Sequence, residues 1–253
     1  MSGGGLLVVT AHPDDEVLIA GGVLAACAAA GAETGVLCLT RGEQGPIADP
    51  ALATRETLGE VRERELHAAC AALGVGWVRC LQHADGWLPW SDDEAAIEDI
   101  ARVVDERAPR AVITFGGDGL YWHPDHTAVH RFTTAALRGS PLLYEAAWLT
   151  SAMPELVAAM SERGLGTDLW DLEPSAFGVP ESEDLVGIDV TPFVEQKLRA
   201  LRAHATQLAA GHVFAEIPAD LAERFLGVER FRPMGHDGGW LTATAAAGRA
   251  RNG

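Results

Sequence analysis

Short apolar runs alternate along the first half of the chain with longer stretches whose apolar positions recur every three or four residues. Leu6–Thr10, Gly35–Thr40, Trp77–Leu81 and Ala111–Phe115 read as strands, and Glu16–Ala30, Leu58–Leu73 and Glu94–Ala108 as amphipathic helices. Gly31, Gly74 and Pro109 follow the three helices, where a left-handed cap or a residue unable to continue a helix belongs. Strands alternating with helices of this length imply right-handed crossovers, so the expected fold is α/β and Rossmann-like, a mostly parallel sheet with helices on both faces. A further helix is expected at Thr127–Leu137. Beyond residue 140 the pattern weakens to strands at Pro141–Leu149 and Leu185–Val190 and helices at Met153–Arg163 and Pro192–Ala205. Gly164–Pro180 suggests no element. The C-terminal part is expected to extend the sheet and cover the site, and the small-residue tail from Thr242 to fray. The whole chain, 1–253, reads as one domain.

Ligands of open parallel sheets bind beyond the carboxyl ends of the strands. The chemically distinctive segments fall there. Thr10-Ala11-His12-Pro13-Asp14-Asp15-Glu16 follows the first strand, and His123-Pro124-Asp125-His126 follows the fourth. In each, Pro suits a first helical turn. Positions three apart share a helix face, so His12 and Asp15 can reach one ion, and a histidine of the second segment, His123 or His126, can join them. Two His and one Asp with an open position describe a catalytic zinc site that activates water, although Fe2+ accepts the same donors. A simpler reading of Asp14-Asp15 alone is a helix N-cap.

Composition narrows the partners. With 19 basic against 36 acidic residues the formal charge is −17, and no basic block exists to meet nucleic acid or an anionic membrane surface. Cys27, Cys38, Cys70 and Cys80 lack ligand spacing and read as buried free thiols. With no signal-peptide pattern at the N-terminus, a cytoplasmic location is expected.

The two His/Asp segments resemble the PIG-L/LmbE-like zinc N-deacetylase family, which includes deacetylases of glycosylphosphatidylinositol, mycothiol and bacillithiol synthesis and of several antibiotics. Thr40-Arg41-Gly42-Glu43 with Gly45, Arg62-x-x-Glu65-Leu66 and Ala203-His204-Ala205-Thr206-Gln207 add to the likeness, which runs from about Leu6 to Phe231. The resemblance implies His12, Asp15 and His126 as zinc ligands and Asp14 as general base. It implies His123 as the group that stabilises or protonates on the opposite side, Asp125 as its orienting carboxylate, and Tyr121 near the oxyanion. Arg62 and Asp85 would hold substrate hydroxyls, with Arg41 beside them. The implied substrate is a small N-acetylated glycoside. A larger acyl-amine substrate at the same site and a non-catalytic sugar-binding module are the competing readings. Trp87, Trp90 and Trp122 stand beside the site loops as a stacking platform, a lid or packing. Gln44–Ala53, without bulky anchors, is a candidate lid.

Overall fold

The computed structural model describes residues 4–137, 142–235 and 239–252. Among them, seven strands form one sheet: β1 Leu6–Thr10, β2 Thr34–Thr40, β3 Trp77–His83, β4 Ala111–Phe115, β5 Leu142–Ala147, β6 Val186–Asp189 and β7 Val228–Met234. Their order is β3-β2-β1-β4-β5-β7-β6. The first five are parallel; β7 runs antiparallel to β5, and β6 antiparallel to β7. β1, β2 and β4 are buried at every position, as strands covered on both faces must be.

The helices are α1 Asp15–Ala29, α2 Leu58–Leu73, α3 Asp93–Arg107, α4 Pro124–Leu137, α5 Ala152–Glu162, α6 Val194–Ala203, α7 Ala219–Leu226 and α8 Trp240–Asn252. α1 packs against α2, α6 and α8, whereas α3 packs against α4. These two groups are the helix layers of the expected mostly parallel α/β sheet. Pro141, taken as the start of the fifth strand, lies outside the described residues.

Three features depart from the reading of the sequence. The tail does not fray: α8 buries Leu241, Ala245 and Gly248, and Gly248 approaches α1 so closely that a Cβ there would meet the Ala26 carbonyl oxygen at 1.9 Å. β7 carries no clear strand signal, because three of the seven residues in Val-Glu-Arg-Phe-Arg-Pro-Met are charged and one is proline. α7 was missed as well; its eight residues are too few for a sustained periodic pattern.

Candidate active site

Strand order reverses between β1 and β4, which lie side by side, and the two His/Asp segments leave the carboxyl ends of these two strands. His12 follows β1 in a turn, and Asp15 is the first residue of α1. The Asp15 carboxylate folds back to accept the His12 backbone N–H at 2.8 Å. His126, in the first turn of α4, is fully buried with its ring stacked on Phe115, the last residue of β4, at 4.0 Å.

Three ligand side chains meet there. His126 Nε2 lies 3.2 Å from His12 Nδ1 and 3.2 Å from Asp15 Oδ1, and His12 Nδ1 lies 3.4 Å from Asp15 Oδ2. The opposite ring nitrogens are already engaged. His126 Nδ1 donates to the Gly119 carbonyl at 3.0 Å, and His12 Nε2 faces Asp125 at 3.2 Å and Asp85 at 3.1 Å. Each imidazole therefore turns a lone pair towards Asp15, the arrangement in which an outer carboxylate or carbonyl fixes a metal-binding tautomer. Neighbouring donors around a tetrahedral ion with bonds of about 2.0–2.1 Å stand about 3.3 Å apart, which matches the spacing here. Electrostatics agree. Burial alone would lower the His12 pKa, but hydrogen bonds to Asp125, Asp15 and Asp85 raise it well above 6.5. Burial would likewise raise Asp15, yet His126 and His12 hold it well below its ordinary value. The pocket favours positive charge, which a divalent ion supplies.

Two other groupings share this region. His12, His123 and His126, and His12, Asp85 and Asp125, also bring ligand atoms within 4.8 Å of one another. His123 is the poorer ligand, because its Nδ1 accepts the Asp125 backbone N–H at 3.2 Å and its Nε2 is left as a donor. Burial, then the neighbouring His126 and His12, push its pKa down to about 4.

This corrects the expected pairing of Asp125 with His123. The Asp125 carboxylate accepts from Gly86 N at 2.7 Å and Leu88 N at 3.2 Å and touches His12; only its backbone meets His123. Asp125 orients His12. Tyr121 does approach His123 and His126, with ring centroids 5.7 and 5.3 Å away, and packs on Phe177. Leu120 and Trp122 on either side of it have φ of 68° and 62°. Such strain in bulky residues persists only where the surroundings enforce it.

Asp14 has φ 118° and makes no side-chain cap bond to α1, so capping does not explain it. Its N–H donates to Glu16 Oε2 at 3.0 Å, and Glu16 Oε1 meets His204 Nε2 at 2.8 Å, both side chains being fully buried. Burial raises the Asp14 pKa to about 6, against the opposing charge of Arg62. Arg62 lies in the cleft wall, but two of its nitrogens are spent on protein. Nη2 donates to Pro13 O at 2.6 Å and Asp14 Oδ2 at 3.1 Å, and Nη1 to Gly42 O at 2.8 Å. A Cβ at Gly42, φ +64°, would meet the Arg62 guanidinium at 2.3 Å, which explains the glycine of the Thr-Arg-Gly-Glu turn. Glu65 accepts from the Thr206 N–H and hydroxyl at 2.9 and 2.6 Å, tying the Ala-His-Ala-Thr-Gln segment to α2.

These groups open onto a cleft of about 360 Å³. His12, Asp14, Asp15, Arg62, Asp85, Tyr121 and His123 line it, so most of the expected residues converge. Arg41 does not: its Nε pairs with Glu63 at 2.8 Å beside a separate depression. Gln44, Trp170, Leu172 and Gln207 line the cleft without having been singled out for it. Trp170 and Leu172 come from the loop with no periodic signal, and nothing in the sequence marks them. Gln44–Ala53 is tied down rather than free, with Gln44 N on Asp85 at 2.7 Å and Ala48 N on Thr206 O at 2.8 Å.

His212 abuts Trp170 at 4.3 Å between centroids and takes a structural role. Its Nδ1 caps a short helix by accepting from Phe214 N at 3.2 Å, and its buried Nε2 has no partner. Burial pushes its pKa from 6.5 down to about 4. Because the unfolded chain binds this proton first, its contribution to stability is complete above pH about 6.5 and is lost as pH falls towards about 4. His212→Asn keeps a capping acceptor without titrating. Its urea-derived stability should therefore fall less between pH 7 and 4.5 than that of the parent, by about 2 kcal/mol; equal losses would contradict this.

Comparison with known proteins agrees with the geometry. The profile of the family described as PIG-L, GlcNAc-PI de-N-acetylase, matches residues 7–137. A protein of Actinosynnema mirum named 1D-myo-inositol 2-acetamido-2-deoxy-alpha-D-glucopyranoside deacetylase is 37% identical over 228 residues, covering 80% of each chain. Among solved structures, the N,N'-diacetylchitobiose deacetylase of Pyrococcus horikoshii superposes with a TM-score of 0.62 at 22% identity, covering 92% of this chain and 84% of that one. GalB, the 4-carboxy-2-hydroxymuconate hydratase of Pseudomonas putida KT2440, gives 0.65 at 20%, covering 92% and 97%. At such identities the two structures speak for the fold alone, and their different reactions show that the fold does not fix the chemistry. The family profile across the His/Asp segments and the 37% relative establish more: this chain belongs to the PIG-L family.

Proposed function

We propose that the protein is a metal-dependent deacetylase that removes the acetyl group from an N-acetylated amino-sugar glycoside. One observation carries the reading: His12, Asp15 and His126 bring three donors together at tetrahedral spacing beside a carboxylate, Asp14, held on strained backbone. These three residues would hold the ion, zinc by preference, with Fe2+ also compatible. When bound, the ion supplies Lewis-acid activation of water and of the amide carbonyl.

The remaining chemistry belongs to side chains of the cleft. Asp14 takes a proton from the attacking water as its oxygen bonds to the acetyl carbon. His123 Nε2–H and the Tyr121 hydroxyl donate to the carbonyl oxygen as it gains charge; burial keeps the Tyr121 proton in place by raising its pKa well above 10. The C–N bond then breaks, and the proton held by Asp14 passes to the departing amine. Arg62, itself buried, fixes Asp14 and the turn at Gly42 and so acts as a positioning residue. A non-catalytic module has no need of a strained Asp14. The four free cysteines suit a cytoplasmic enzyme, and no helix among the described residues is long and apolar enough to cross a membrane.

The purified, metal-loaded protein is expected to release acetate and free amine in equal amounts from N-acetylglucosaminyl-inositol or N,N'-diacetylchitobiose. No acetate from any member of a broad N-acetylhexosaminide panel would end the proposal.

A further inference from the structure

Three tryptophans beside cleft-lining residues have their rings in solvent: Trp87, Trp90 and Trp122 are 62%, 69% and 70% exposed. They are not packing, since burying such a side chain ordinarily contributes a large share of core stability. Nor are they scattered. Asp125 accepts hydrogen bonds from the amides on both sides of Trp87, Gly86 at 2.7 Å and Leu88 at 3.2 Å. The same carboxylate sits 3.2 Å from His12 and only three residues beyond Trp122. Leu88, fully buried, anchors the loop from below. Trp90 meets Trp87 edge to face at 5.9 Å. Gly86 before the first tryptophan, and Tyr121 and His123 around the last, line the cleft. The backbone around Trp87 is thus fastened to the carboxylate that orients His12, and Trp122 has φ 62°.

We infer that Trp87 and Trp122, with Trp90 against Trp87, form a subsite for the second ring of the glycoside, the one whose acetamido group, if any, is not being hydrolysed. This rests on the deacetylase reading and adds where selectivity resides. An uncharged ring with an axial C–H face fits. The neighbouring Asp92, Asp93 and Glu94 would repel an anionic group, and an indole face attracts polarised C–H bonds through its negative quadrupole. The cleft beneath is polar and suits the hydroxyl-rich first ring.

The test compares kcat/KM for N,N'-diacetylchitobiose with that for N-acetylglucosamine in the parent, in Trp87→Ala and Trp122→Ala, and in the corresponding Phe variants. The parent should favour the disaccharide. Each Ala variant should lose about tenfold of that ratio, mainly through KM, as a stacking contact of about 1.4 kcal/mol implies. Phe should restore most of it. An unchanged ratio in the Ala variants would overturn the inference. Titration calorimetry with chitobiose, the deacetylated disaccharide, needs no turnover. Weaker binding in Trp87→Ala supports the subsite even if acetate release fails, and unaltered binding rejects it even if acetate release succeeds.

Discussion

Asp14→Asn is expected to lower kcat by roughly 10²–10⁴-fold, the usual worth of a positioned general base, while leaving the fold and the bound ion in place. Asparagine keeps the size of the side chain and can still accept from Arg62 Nη2, now 3.1 Å from Asp14 Oδ2. It cannot take a proton. The strain at φ 118° is unchanged by the substitution, and the side chain makes no cap bond to α1 that could be lost. Metal content should therefore match the parent, stability at pH 7 should not fall because burial disfavours the Asp14 carboxylate that asparagine replaces, and KM should move little because the loss falls on the transition state. A variant that kept more than a tenth of the parent kcat would remove Asp14 from the mechanism.

A second large effect lies behind the site. Lys197 Nζ meets Glu229 Oε1 at 2.6 Å with both side chains buried, and the Glu229 carboxylate also accepts the Gly22 and Val23 amides of α1 at 2.7 and 2.8 Å. This close approach needs the Gly21-Gly22 pair. A Cβ at Gly22 would meet Val190 at 2.5 Å, and one at Gly21 would press on the Lys197 stem at 3.3 Å. Lys197→Met preserves most of the stem but strands a buried carboxylate, which costs about 3–5 kcal/mol. Urea denaturation should show that loss, and adding Glu229→Gln to the variant should recover much of it. A single-variant loss below about 1 kcal/mol would mean that water already reaches the pair.

These two sites differ in how far the sequence announced them. The first four strands and three helices are legible because each is long enough to show its period and is closed by Gly31, Gly74 or Pro109. His12, Asp15, His123 and His126 are legible because two similar segments leave adjacent parallel strands. The partnership of Asp125 with His12 is not, since it depends on which way a carboxylate turns across 113 residues. The Lys197–Glu229 pair is hidden for the same reason: a lone Lys on an amphipathic helix and a Glu in a charged strand both read as solvent-facing. α8 reads as a loose tail because Ala and Gly carry little hydrophobic signal, yet small side chains are what allow it to lie against α1. Trp170 and Leu172 reach the cleft from an aperiodic loop that only tertiary structure positions.

A cation has two places to bind at His12, whose two ring nitrogens face different carboxylates. Crystals grown with zinc and measured at the zinc absorption edge should give one anomalous peak on the Nδ1 side, about 2.0–2.1 Å from His12 Nδ1, an Asp15 oxygen and His126 Nε2. A peak on the Nε2 side between Asp85 and Asp125, or one bonded to His123 in place of Asp15, would contradict this ligand set.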